Sequence, residues 1–223
     1  MRLAIKSAIC ALALFAGGQA EAAPIVLDFE GLGDLEPIQE FYNGGIGGFG
    51  SGPGPDFDLS FGADALAIVD QDAGGNGNFG GEPSPDTVMF FLNNSAVLDV
   101  PNGFDTGFSF FYSAINLPGI IEVFDGLNAT GNILATINLG LTPFNGAPDP
   151  TGQFSPFVPI GASFPGTALS IDFGGTSNQI GFDNITFGSA TPGGLTPVPE
   201  PASMLILGIG LAGIAALRRR QRC

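Results

Sequence analysis

Short runs of β-branched and aromatic residues, cut at close intervals by Gly, Pro, Asn and Asp, set the limits on what this chain can fold into. The runs are Ile25–Gly31 (IVLDFEG), Phe57–Gly62, Ala65–Asp70, Thr87–Leu92, Ala96–Val100, Gly107–Ala114, Ile120–Gly126, Ile133–Leu139, Ala168–Gly174 and Ile180–Gly188. Each has the length and composition of a strand bounded by turn residues. Several alternate in period two, so that Ile25, Leu27 and Phe29 share one face while Asp28 and Glu30 share the other. No stretch between them sustains a helical period with caps, which leaves no material for a helical layer. The predicted fold class is therefore all-β, an antiparallel sandwich or barrel. Phe124–Leu139 reads as a hairpin with Gly126, Asn128 and Gly131 in its turn. Two glycine-rich stretches, Asn43–Asp56 and Asp70–Asp86, read as long loops of the kind that are functional or mobile.

Charge narrows the chemistry. The six basic residues are Arg2, Lys6, Arg218, Arg219, Arg220 and Arg222, and the sequence has no His. Of the 21 acidic residues only Glu21 and Glu200 lie outside Ala23–Pro199, so this body carries 19 carboxylates and no cation. Both cysteines, Cys10 and Cys223, also lie outside it. A nucleophile activated by imidazole or built on a thiol is excluded there, as is a zinc centre with His or Cys ligands. A body charged −19 does not bind nucleic acid, which is held through cationic side chains. Without cysteine there is no disulfide framework, and stability must come from an apolar core.

The two ends read differently from the body. Arg2 and Lys6 precede the apolar stretch Ala8–Gly18, and Ala20-Glu21-Ala22 offers an A-x-A site, so residues 1–22 read as a cleavable signal peptide. Ile9 before Cys10 does not fit a lipoprotein signal. Residues 23–187 are then the β domain and 188–197 a flexible linker. Ala202–Leu217 runs sixteen residues without a charge. As a helix it would span ~24 Å at ~1.5 Å per residue, short of a hydrocarbon core of ~30 Å, yet able to cross with local thinning or snorkelling of its flanking arginines. Arg218, Arg219, Arg220 and Arg222 place that end in the cytoplasm by the positive-inside rule, and the β domain on the far side.

Carboxylates without cationic partners repel one another unless they are solvated or metal-bound, and Ca²⁺ is the hard cation that such oxygens suit. Within the second loop Asp70, Asp72, Asn76 and Asn78 take the first, third, seventh and ninth places of an EF-hand-like count, with Gly75 at the turn. Gly74 replaces a ligand and Glu82 closes one residue late, so this is not an EF-hand, but the four are candidate Ca²⁺ ligands.

Two stretches carry family resemblances. LDFEG (Leu27–Gly31) and IGFDNITF (Ile180–Phe187), with FSFFYSA and IEVFDG between them, resemble secreted jelly-roll modules such as carbohydrate-binding modules and MAM-type domains. That resemblance implies a jelly-roll sandwich whose first and last strands lie close, and it implies Glu30 and Asp183 as ligands of a structural Ca²⁺. Val198-Pro199-Glu200-Pro201, a short apolar helix and a terminal arginine cluster resemble the PEP-CTERM sorting signal. That resemblance covers the last twenty-six residues, 198–223. It implies a Gram-negative host, an inner-membrane intermediate, and an exosortase that reads the motif and removes the tail after signal peptidase has removed the leader. The expected protein is no enzyme but a surface or matrix component, structural or associated with extracellular polysaccharide. Two alternatives stand beside it. A Ca²⁺-dependent carbohydrate-binding module would have to stack sugars on Tyr42, Tyr112 or exposed Phe. A glycoside hydrolase could work with two carboxylates alone.

Overall fold

The computed structural model describes residues 24–93, 95–146 and 152–192, which belong to one compact unit. The signal-peptide residues, the sorting motif and the arginine tail lie outside the described residues. The strands are β1 (Val26–Leu27), β2 (Ser60–Phe61), β3 (Ala65–Val69), β4 (Thr87–Phe91), β5 (Ser95–Phe104), β6 (Gly107–Ser113), β7 (Gly119–Phe124), β8 (Ile133–Leu139), β9 (Val158–Ser163), β10 (Ala168–Gly175) and β11 (Gly181–Phe187). All pair antiparallel. One sheet runs β3-β4-β11-β6-β9 with β1 also on β11, and the other runs β2-β5-β10-β7-β8.

Set aside β1 to β3, and the remaining order is β4-β11-β6-β9 in one sheet and β5-β10-β7-β8 in the other. Consecutive strands then alternate between sheets, except at the β7–β8 hairpin, which stays within one sheet. This is the strand order of two interlocked Greek keys, a jelly roll. The sheets meet through phenylalanine. Phe173 of β10 lies edge-on to Phe182 of β11, with ring centroids 5.1 Å apart, and reaches Phe108 and Phe110 of β6 at 6.0 and 6.1 Å. All four are fully buried, and such edge-to-face contacts add to the area they bury.

Three differences from the sequence reading have local causes. The first run pairs only at Val26 and Leu27, because Phe29 takes a positive φ of 62° and gives its N–H to the Tyr42 hydroxyl at 2.7 Å. Its alternation survives as burial: Leu27 and Phe29 have no exposed surface. Strand β5 continues through Pro101 to Phe104 by a register shift against β10, with Gly103 at φ 70°. Strand β9 goes unrecognised in the sequence, since Pro159 and Gly161 read as breakers. It forms at a sheet edge, pairing only with β6, where a missing N–H is tolerated. The β7–β8 hairpin forms as expected, closed by Gly126 N–H on Thr130 C=O at 3.1 Å.

The stretch read as a linker starts on the body. Gly188 N–H donates to Gly107 C=O at 3.0 Å, and a Cβ on Gly107 would lie 2.8 Å from the Ala190 nitrogen.

Candidate functional site

Strand β11 changes partner halfway along. Phe182 pairs with Met89 of β4, whereas Ile185 and Thr186 pair with Leu27 and Val26 of β1. Between those pairings β11 bulges: its register against β6 shifts between Asp183 and Thr186, and Asn184 takes φ 48°. β1 and β4 therefore lie end to end beside β11, with a gap between them where backbone N–H groups have no strand partner. Two carboxylates fill that need. Asp183 accepts from Ser84 N–H at 2.8 Å, from the Ser84 hydroxyl at 2.8 Å and from Asn184 N–H at 2.6 Å. Glu30 accepts from the N–H groups of Asp86 and Thr87, both at 2.9 Å. So Glu30 and Asp183, distant in sequence, meet at one strand switch point. Their environments differ: Asp183 has no exposed surface and Glu30 is half-buried. Burial pushes the Asp183 carboxyl up from 3.8 to about 7, opposed by the Ser84 and Asn184 donors and reinforced by the charge of Glu30.

The loop candidates have different surroundings. Asp70 is turned inward, 1% exposed, with its carboxylate accepting Gln71 N–H at 2.6 Å. Asp72 is exposed. Asn76 gives its side-chain amide and its N–H to Asp34, which also accepts Val69 N–H at 3.0 Å. Asn78 lies beside Phe79 and Phe154. Among the described residues no group of three or more Asp, Glu, His or Cys side chains converges as a metal centre.

The device that sequence reasoning missed is general. With no cation in the body, carboxylates take amide partners instead. Glu36 is the extreme case: it is fully buried and accepts Gly33 N–H at 2.6 Å, Phe49 N–H at 2.8 Å and Ser51 N–H at 3.0 Å. Burial alone would raise its pKa, but the donors of Ser51, Gly33 and Phe49 outweigh it and hold the carboxyl below its ordinary value. The glycine-rich loop 43–56 thus wraps an internal carboxylate with its own amides. Asp125 accepts Asn132 through both amides, Asp58 accepts Asn102, and Asp99 accepts Asn128 N–H. The recurrence of Asn beside Asp in loops was the available signal.

Aromatic placement bears on sugar stacking. Tyr42 is 1% exposed and Tyr112 5%, both in the core, so neither presents a face to a ligand. Burial raises the pKa of both hydroxyls, for Tyr42 with the charge of Asp28 added. Among the described residues the exposed aromatic rings are Phe49 (73%) and Phe144 (55%). Nor is the Glu30–Asp183 pair placed to cleave a glycosidic bond, because Asp183 is sealed from solvent.

No curated protein sequence matches the chain. Among solved structures it is similar to the carbohydrate-binding module CsCBM6-3 of Clostridium stercorarium, solved with cellobiose, at 18% identity and a TM-score of 0.37, covering 60% of this chain and 88% of that one. It is similar to the K3 adhesin domain of Lys-gingipain from Porphyromonas gingivalis at 13% identity and a TM-score of 0.31, covering 74% and 90%. A family 43 arabinoxylan arabinofuranohydrolase from Bacillus subtilis matches at 18% identity and a TM-score of 0.36, with only 24% of that enzyme covered. The jelly-roll assignment stands on the strand order itself. At the far end of the chain, residues 197–220 match the PEP-CTERM protein-sorting motif, so this chain carries the signal for exosortase-sorted export.

Proposed function

We propose that this protein is a non-catalytic jelly-roll module delivered by an exosortase to the cell surface or extracellular matrix of a Gram-negative bacterium, where it is structural or associated with exopolysaccharide. The observation that carries this reading is the sorting motif at residues 197–220, joined to an all-β body that has no Lys, Arg, His or Cys. In this reading the tail is held in the inner membrane until the motif is cut, with Arg218, Arg219, Arg220 and Arg222 as its stop signal. The Val198-Pro199-Glu200-Pro201 element is the address.

Calcium belongs to the same proposal. Glu30 and Asp183 suit a hard cation in donor type and charge, being two neighbouring carboxylates with no cationic partner. They would supply two ligands, and the rest would come from backbone carbonyls and water. The ion would supply charge compensation at the strand switch point. A Ca²⁺-dependent carbohydrate-binding module is the second reading, and with both tyrosines buried it would have to stack sugars on phenylalanine.

Intact-mass analysis of protein from the native host tests the sorting. The expected chain begins near Ala23 and lacks Arg218–Cys223, and Glu200→Ala with Pro201→Ala keeps the fold but abolishes surface delivery. Full-length tail in the surface fraction, or equal display of the variant, would overturn the proposal.

A further inference from the structure

The outer face of the first sheet carries a second, smaller apolar cluster. Val88 and Phe90 of β4 point away from the sandwich interior, since Met89 and Phe91 fill it, yet they are only 1% and 5% exposed. Two loop segments cover them. Phe79 and Phe154 are bridged in parallel, Phe154 N–H donates to Asn78 C=O at 2.9 Å, and Gly80 N–H donates to Phe154 C=O at 3.3 Å. A glycine permits this approach: a Cβ on Gly152 would lie 2.7 Å from the Gly80 nitrogen. Phe79 then packs edge-on against Phe157 at 6.2 Å.

The cover is incomplete. It leaves an open recess of about 40 Å³ walled by Ile68, Val88, Phe90 and Phe154, with Asn78 and Asn178 at its exposed rim. Both asparagine backbones are fixed, Asn178 N–H on Phe91 C=O at 2.8 Å and Asn78 C=O on Phe154 N–H. Their side-chain amides have no hydrogen-bond partner among the described residues. At ~10–15 Å³ per water-sized group, the recess holds about three non-hydrogen atoms. That is a fragment of a ligand rather than a whole one.

Size, polarity and charge together select the fragment. It must be neutral, since no carboxylate among the described residues lines the recess for a cation and the body has no cation for an anion. It must be apolar at its tip and offer both a donor and an acceptor at its base, because each asparagine amide supplies both. A methyl group on an amide has those properties. We propose that this recess is a subsite for the acetamido group of an N-acetylated polysaccharide, with the methyl between Phe90 and Phe154 and the amide read by Asn78 and Asn178. The idea rests on the reading that the protein meets extracellular polysaccharide, and it names the sugar chemistry that reading leaves open.

Purified full-length chain in detergent, titrated calorimetrically with two neutral hexamers of identical linkage, tests it. One is the β-1,4 hexamer of N-acetylglucosamine, the other the β-1,4 hexamer of glucose. Saturable binding of the first and at least ~tenfold weaker binding of the second is expected, the scale of one or two net hydrogen bonds. Asn78→Ala with Asn178→Gly removes both amides, glycine being chosen because Asn178 holds φ 58°. This double variant should bind the acetylated hexamer ~tenfold more weakly at an unchanged melting temperature. Gly181→Ala, whose Cβ would press on Phe157 at 3.3 Å and meet the recess wall at Val88 at 3.7 Å, should weaken it as well. Equal affinity for the two hexamers, no saturable binding to either, or undiminished binding by the double variant overturns the subsite. None of these results touches the sorting test.

Discussion

The sharpest consequence of the strand switch point is a pH dependence with an unusual sign. Asp183 titrates near 7 in the folded chain and from 3.8 when free, because burial disfavours its charged form. The folded state therefore holds a proton that the unfolded state has released. Stability from this group is fully present below pH 4, declines as pH rises, and is lost once pH passes the folded value of about 7. At ~1.36 kcal/mol per pH unit the whole difference is about 4 kcal/mol, a large share of a typical domain's stability. Asp183→Asn provides the comparison. It keeps the shape and removes the titration, at a pH-independent cost of about 1 kcal/mol for a hydrogen bond that an amide nitrogen cannot accept. Residues 24–195 of both proteins would be unfolded by urea at half-unit steps from pH 4 to pH 8, in chelator. The stability of the wild type minus that of the variant should fall by about 4 kcal/mol across this window. A difference that stays flat, or that rises with pH, refutes the reasoning and with it the claim that Asp183 is buried without a compensating charge.

Further expectations follow from the same contacts. Millimolar Ca²⁺ should flatten that pH dependence and raise the melting temperature more than Mg²⁺ at matched ionic strength, adding ~2.7 kcal/mol at a hundred times its dissociation constant, and equal effects of the two ions reduce the acids to a screened surface. Glu36 has the opposite sign: its lowered pKa gives stability that is present above the unfolded value and lost as pH falls through the folded one. Glu36→Ala should cost about 3 kcal/mol by orphaning the Gly33, Phe49 and Ser51 amides, read by urea unfolding and by faster proteolysis in loop 43–56. Phe182→Ala, which removes a ring packed on Phe173, Phe110 and Phe91, should cost about 3–5 kcal/mol in the same unfolding assay.

What could be read in the sequence was what short-range pattern encodes. Period-two runs and turn residues are local properties, and they located all but one of the major strands, the hairpin at Gly126–Gly131 and the absence of helix among the described residues. The missing cations and cysteines excluded whole classes of chemistry before any folding, and the sorting motif is a contiguous address that needs no tertiary context. Strand β9 was illegible because Pro159 breaks a central strand but not an edge one, and edge position is decided by the sheet. The first run looked like a full strand, but Phe29 turns away to the Tyr42 hydroxyl, a partner thirteen residues on. Resemblance named Glu30 and Asp183, but only the fold brings them to one gap, with Asp183 reaching a serine 99 residues away. The burial that moves the Asp183 pKa comes from the same packing. Glu36 gave no sign in the sequence that it would be sealed inside a glycine loop. The outer recess exists only because two loops distant in sequence cross the same sheet face. Periodicity is carried by neighbours along the chain, whereas burial, charge compensation and cavities depend on which distant segments the jelly roll brings together.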